Sequence, residues 1–140
     1  MENFQSLTVE ATVNAPIAHV WKCWTTPEDI MNWCFASPDW HCPAATNDLT
    51  VGGSFTSRMA AKDGSFAFDF GGVYDVVDLH KTIGYTMADG RKVKIEFTDN
   101  GDTTYVSETF DAENENPLEM QQGGWQAILN NFKVYTEGAL

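Results

Sequence analysis

Chemistry in this 140-residue chain would have to come from a few polar side chains placed among apolar ones. Glu108 shares the parity of Val106 and Phe110 in an alternating run, so a regular strand turns its carboxyl to the same face as those apolar neighbours. Burial without a partner raises a carboxyl pKa, which is how acid catalysts are made. A carboxyl satisfied by Arg58, Tyr85 or a water, or lying at a wet rim, would instead be structural. His41, in a stretch rich in large aromatics, is the other catalytic candidate. A general base needs a positioned acid or nucleophile, and no Ser-His-Asp or Cys-His spacing supplies one. His19 and His80 fall on a helix and at a turn and read as exposed. Arg58 has the parity opposite to Phe55 and Met59 and reads as a surface residue.

Other chemistries find no support in the pattern. Gly52-Gly53 and Gly71-Gly72 have neither the dinucleotide nor the Walker form, so no nucleotide cofactor is implied. Cys23, Cys34 and Cys42 show no CxxC spacing, and His41-Cys42 with Cys34 matches no zinc pattern, so no metal is expected and the thiols read as ordinary buried or half-buried side chains. With neither a signal peptide nor a membrane-length apolar run, the expectation is a cytoplasmic protein with reduced thiols. A formal net charge of −12 repels nucleic acid and anionic membrane surfaces. Hydrophobic content of 43%, with five tryptophans and nine phenylalanines, predicts an aromatic-rich core within one domain over residues 1–140. The oligomeric state is left open.

The elements that must position these residues are readable from period and punctuation. From Pro117 to Tyr135, apolar residues such as Ile128, Leu129, Phe132 and Tyr135 recur at three- and four-residue spacing, predicting a long helix that Gly138 can end. Gly123 and Gly124 lie inside it, where each glycine costs about 1 kcal/mol relative to alanine, so they imply close backbone approach or room left free. Before it, Phe4 to Val13 reads as a strand, followed by two short helices. The first runs through Ile17, Val20, Trp21 and Trp24 behind an Asn14 or Ala15 cap with Pro16 in its first turn; the second, capped by Thr26, runs through Ile30 and Trp33. Phe35 to Thr46 reads as a loop and Asn47 to Val51 as a brief strand. A bend at Gly52-Gly53 follows, then a strand from Ser54 to Ala60. Turn signals at Asp63-Gly64, Asp89-Gly90 and Asn100-Gly101 delimit further strands at Phe66 to Asp78, Ile83 to Met87, Lys92 to Thr98 and Thr103 to Asp111. Lys92, Lys94 and Glu96 alternate with Val93, Ile95 and Phe97, so the sheet has one wet and one covered face.

Val20-Trp21-Lys22-Cys23-Trp24-Thr25-Thr26-Pro27-Glu28, Asp48-Leu49-Thr50-Val51-Gly52-Gly53-Ser54-Phe55, Phe70-Gly71-Gly72-Val73-Tyr74 and Gly124-Trp125-Gln126-Ala127-Ile128-Leu129 occur in this order over nearly the whole chain. They resemble the landmarks of the family of activator-of-heat-shock-ATPase homologues, within the START-like, polyketide-cyclase-like (SRPBCC) superfamily. The resemblance implies an α+β helix-grip fold: a curved antiparallel sheet around a long C-terminal helix, with two short helices after the first strand. It also implies a small apolar or amphipathic ligand between sheet and helix. The alternatives are a cyclase-, hydrolase- or isomerase-like cavity enzyme, or a domain modulating a chaperone ATPase. The eukaryotic co-chaperone adds an N-terminal chaperone-contacting domain, whereas this sequence is expected to begin at the helix-grip strand, which points away from that role.

On this fold, alternation selects the cavity lining. Phe55 and Met59, Phe68 and Phe70, Tyr85 and Met87, and Phe97 with Val93 and Ile95 would face inward from successive strands. Glu108 and Phe110, with Val106, would do so from the last strand, opposite Gln121, Trp125, Ile128 and Leu129 of the helix; Trp33, Phe35 and Trp40 would form the mouth. Gln121 would either orient a ligand or face solvent.

Trp125→Ala is expected to destabilise the protein by about 3–5 kcal/mol in denaturant titration, the range for a buried aromatic. A loss below about 1 kcal/mol would remove Trp125 from the core.

Overall fold

The computed structural model describes residues 4–140. Strand β1 (Ser6–Val13) leads into helices α1 (Ile17–Thr25) and α2 (Pro27–Ile30). Strands β2 (Trp40–Asn47), β3 (Ser54–Ala61), β4 (Ala67–Asp78), β5 (Thr82–Thr86), β6 (Lys92–Asp99) and β7 (Thr104–Asp111) follow, and helix α3 (Leu118–Gly138) ends the chain. The strands form one antiparallel seven-stranded sheet in the order β1-β7-β6-β5-β4-β3-β2, so β1 and β2 are its edges. This is the helix-grip arrangement. Among the described residues no helix is long and apolar enough to cross a membrane.

The sheet's concave face is set by strict alternation in β6 and β7, where Val93, Ile95, Phe97, Val106, Glu108 and Phe110 are all buried. On the outer face Lys92 and Lys94 make surface ion pairs with Asp75 and Glu96, worth about 0–1 kcal/mol each. Strand β4 lies very close to both of its neighbours at two glycines. A Cβ on Gly71 would lie 2.2 Å from the Phe55 carbonyl oxygen, and one on Gly72 2.8 Å from that of Thr86. Only glycine lets the neighbouring backbones come this close.

Helix α3 is tied along the free edge of β1. Gln122 Nε2 donates to Thr8 O (3.1 Å), Gln126 Nε2 to Glu10 O (3.0 Å) and Lys133 Nζ to Thr12 O (2.7 Å), while Asn14 N donates to Glu137 Oε2 (2.8 Å). The lengths match. Residues 122 to 137 rise about 22 Å in a helix, and Thr8 to Asn14 about 20 Å in a strand. Each bond satisfies a strand-edge group that sheet pairing leaves open. The sequence reading, which followed apolar periodicity, did not anticipate this polar stripe.

Toward its C-terminal end α3 also locks the two short helices. Phe132 is fully buried and meets Trp24 and Trp33 edge-on at centroid distances of 4.8 and 5.0 Å. Tyr135 donates its hydroxyl to buried Asp29 at 2.5 Å, and Lys22 reaches the other carboxyl oxygen at 2.9 Å. Burial pushes the Asp29 carboxyl up, but the hydrogen bonds from Tyr135 and Lys22 outweigh it and hold the group below the usual aspartate range.

Several local expectations are corrected. Pro16 itself occupies the N-cap of α1 without a side-chain cap, and the backbone N–H of Asn14 donates to Glu137. Thr26 makes no side-chain cap either, and α2 stops at Ile30, leaving Trp33 in the turn beyond. The stretch read as a loop contains β2, and the expected strand at Asn47 to Val51 is a turn after Asn47. Pro43 disguised it: proline cannot donate to a ladder, and β2 accommodates it as an edge strand with a register shift between His41 and Ala44. Gly138 falls in the last residue of α3, and the helix ends at Ala139. His19 and His80 are half-buried, the first bonded to Thr136 O at 2.9 Å and the second edge-on to Trp21 at 5.8 Å.

Tyr135→Phe is expected to destabilise the protein by about 1.5–3 kcal/mol at neutral pH, the range for a hydrogen bond to a charged group. Because the Asp29 pKa is depressed in the folded state, its stabilisation is present above the ordinary aspartate range and is lost as pH falls through the folded value. Urea titrations across that range should therefore show the two proteins converging in acid. An unchanging difference would mean that Asp29 is not the partner that matters.

Candidate functional site

Between the concave face and the N-terminal half of α3 lies a cavity of about 380 Å³. It falls within the range of about 300–1,000 Å³ typical of small-molecule sites. Its sheet wall comes from Phe55, Ser57 and Met59 of β3, Phe68, Phe70 and Tyr74 of β4, Ile83 and Tyr85 of β5, and Glu108 of β7. The opposite wall is Met120, Gln121, Gly124, Trp125 and Ile128 of α3, and Trp24, Ile30, Trp33, Cys34 and Ala36 close the end at the short helices. Arg91 and Asn116 complete it. Phe68, Asn116 and Met120 are exposed as well as lining, which marks the opening at the N-terminal end of α3.

The two helical glycines now have a physical reading. A Cβ on Gly123 or Gly124 would meet nothing within 4 Å, and Gly124 borders the cavity. Gly123 is exposed and the room beside it is solvent; at Gly124 the space left free is the cavity, and no neighbouring backbone presses against either residue. Beside it, Trp125 stacks on Phe110 at 4.1 Å, with ring planes 6° apart, and meets Phe70 edge-on at 5.7 Å.

Glu108 is the anomalous wall residue. It is 6% exposed and, among the described residues, makes no hydrogen bond or ion pair; its strand neighbours are Val9 on β1 and Ile95 on β6. Burial pushes its carboxyl up to about 8, the shift expected of a carboxyl in apolar surroundings. Arg58 does not reach it, since Arg58 is exposed and paired with Asp69 at 3.0 Å. Nor does Tyr85 bond to it, although burial and the nearby Glu108 both push the Tyr85 hydroxyl well above the tyrosine range. The wet-rim alternative is excluded by the burial.

The expected lining residues divide by depth. Trp33, Phe55, Met59, Phe68, Phe70, Tyr85, Glu108, Gln121, Trp125 and Ile128 border the cavity. Met87, Phe97, Phe110 and Leu129 are buried but do not: Phe97 packs on Trp21 and Trp24, Phe110 is covered by Trp125, and Leu129 turns into solid core. Val93, Ile95 and Val106 are core in the same way.

The predicted mouth is also corrected. Trp33 is deep, its Nε1 donating to Cys23 O at 3.0 Å; Phe35 is turned aside, with its carbonyl taken by Asn131; Trp40 touches the opening only through Phe68, at 6.0 Å. His41 is exposed, on the side of β2 opposite buried Cys42, and contributes nothing to the cavity. Gln121 is neither solvent-facing nor free. Its Oε1 accepts from Glu113 N (2.8 Å), and its Nε2 donates to Glu113 O (3.1 Å) and Asn116 O (2.8 Å), so it clamps the loop before α3.

Other lining residues went unnoticed in the sequence. Ser57 has the parity of Phe55 and Met59, so the same rule that chose those two could have found it. Cys34, Ala36, Arg91 and Asn116 lie outside regular elements, where no period applies. The hydrogen bond with Cys42, and burial, hold the Cys34 thiol well above its ordinary range, so it is not an activated nucleophile. All three cysteines are free and buried, and among the described residues no three His, Cys, Asp or Glu side chains converge on a metal-sized site.

Residues 14–137 match the family described as Activator of Hsp90 ATPase homolog 1-like protein. The AHSA1-like protein from Aeromonas hydrophila, solved in solution, is 44% identical, with 96% of this chain and 94% of that one covered and a TM-score of 0.90. A Cytophaga hutchinsonii protein is 62% identical over 96% and 93% of the two chains, with a TM-score of 0.82. A Nitrosomonas europaea protein shares the fold at 19% identity, with coverage of 99% and 98% and a TM-score of 0.83. No curated protein matches this chain.

Glu108→Gln is expected to flatten one component of the pH dependence of stability. A carboxyl whose folded pKa is raised stabilises below its unfolded value, and that advantage is lost as pH climbs from about 4.5 to about 8. Relative to the variant, the wild type should therefore weaken by roughly a few kcal/mol over this interval and no further above it. A difference that stays constant with pH would show the carboxyl to be solvated.

Proposed function

This chain belongs to the family of Activator of Hsp90 ATPase homolog 1-like proteins, whose START-like fold is a ligand-binding class of domain, and from that premise we propose that it binds a small, largely apolar molecule between sheet and helix. The observation that carries this reading is the free space beside Gly124, in a helix that alanine would have stabilised and filled. Aromatic walls supply burial energy, and Glu108, Tyr85 and Ser57 are the polar groups that orient the guest.

Binding is favoured over turnover by the state of the titratable groups. An acid–base pair needs two groups with pKa values pushed apart so that one gives and the other takes a proton. Glu108 and Tyr85 are both pushed upward, so neither is set to take a proton from the other.

The test is to fill the space. Gly124→Leu should keep the fold, because no neighbour obstructs the first carbon and leucine is the better helix former. A polarity-sensitive apolar dye should bind the wild type at one equivalent and the variant at least about tenfold more weakly, a difference of about 1.4 kcal/mol. Equal dye binding by two folded proteins would sink the proposal. Native mass spectrometry of protein from its own host, with extraction of anything retained, would then identify the natural guest.

A further inference from the structure

The cavity contains one group that the apolar reading leaves unmatched. Eight of its lining side chains are aromatic: Trp24, Trp33, Phe55, Phe68, Phe70, Tyr74, Tyr85 and Trp125. Set among them, Glu108 is more than nine-tenths buried and has no hydrogen-bond or ionic partner among the described residues. Buried carboxyls are ordinarily satisfied by the protein itself, so one left open toward an empty cavity invites a partner from the ligand. Among the described residues the one cationic side chain in the lining is Arg91, whose Nε donates to Asp89 at 2.7 Å and which makes no ion pair with Glu108.

The geometry points to an organic cation, a substituted ammonium on an apolar body, as the ligand class of this cavity, with Glu108 as its counter-ion and the surrounding rings as its walls. This inference rests on the cavity-binding reading above. Aromatic faces carry negative electrostatic potential and attract desolvated cations, and quaternary ammonium groups are the guests that such enclosures recognise. A carboxyl close by adds a full charge in surroundings that screen it poorly. The formal net charge of −12 acts in the same direction, raising the concentration of cations near the mouth and repelling anionic amphiphiles.

The inference has a pH signature, because a cation favours the ionised form of Glu108. The groups facing that carboxyl leave it to dominate the response. Tyr85 on β5 and Cys34 beyond α2 are both pushed upward and stay neutral, while Cys42 of β2, whose thiol is pulled down by its hydrogen bond with Cys34, contributes equally in the wild type and in Glu108→Gln. Val9 and Ile95 on the flanking strands do not titrate, α3 presents Gln121, Trp125 and Ile128, and Arg91 is paired with Asp89.

The experiment compares benzyltrimethylammonium, whose charge does not depend on pH, with its uncharged carbon isostere neopentylbenzene. Affinities would be measured by calorimetry or by displacement of the apolar dye at pH 7 and pH 9, on wild type and Glu108→Gln, with near-ultraviolet circular dichroism confirming that the variant is folded. The expected result is cation binding about tenfold tighter at pH 9 than at pH 7 in the wild type, from proton linkage through a group near 8. The variant should bind the cation more weakly, with no pH slope. Preferential binding of neopentylbenzene would overturn the cation assignment while leaving the apolar cavity standing. A cation that binds the variant as tightly, with the same slope, would overturn the role of Glu108. If neither probe binds, this inference and the binding reading fail together.

Discussion

The attachment of α3 to the free edge of β1 is the constraint on which the remaining architecture depends. A sheet edge exposes backbone groups at every second residue, and a helix offers side chains on one face at three- and four-residue intervals. Gln122, Gln126, Lys133 and Glu137 bring the two periods into register against Thr8, Glu10, Thr12 and Asn14. The helix is thereby held along one margin of a strongly curled sheet, and its apolar face spans the concavity with no polar tie to the strands opposite. Where large side chains fill the interval, as Phe132 and Leu129 do toward the C-terminal end, there is solid core. Where Gly124 falls, there is cavity.

The same division separates the solidly packed end of the molecule from the end that holds the cavity. At the short helices, Trp24, Trp33 and Phe132 interlock, and Asp29 is satisfied by Tyr135 and Lys22, so a buried charge is compensated by charge-assisted hydrogen bonds. At the opening, Gln121 uses its amide to hold the preceding loop in place, and Phe68 and Met120 remain partly in solvent. Between these ends sits Glu108, desolvated and without compensation. The contrast between the two carboxyls is the chemical asymmetry of the fold: one is depressed by its hydrogen-bond partners, the other raised by burial.

A fold retained at 19% identity by the Nitrosomonas europaea protein does not decide what is bound. Such an architecture needs alternation in the strands, glycines where backbones crowd, and an amphipathic helix. Which polar side chain stands open in the cavity is a separate choice, made here by Glu108, Tyr85 and Ser57.

Alternation, turn pairs and helical spacing determined the strands β3 to β7, the two short helices, α3 and the inward parity of Glu108, because those features follow from periods of about two and 3.6 residues that the chain carries locally. The order of landmarks along the chain determined the family. Where the period is interrupted, the local signal ends: Pro43 concealed β2, and Cys34, Ala36, Arg91 and Asn116 reach the cavity from segments without any period. Parity tells inside from outside but not core from cavity wall. Phe97, Phe110, Leu129 and Met87 share the inward face with Tyr85 and Trp125, yet only the latter pair border empty space. That distinction, the capture of Gln121 by its own loop and the isolation of Glu108 depend on how far the helix stands from each strand. Distance of that kind arises from the curl of the whole sheet and the edge that anchors the helix, so only the tertiary structure could decide it.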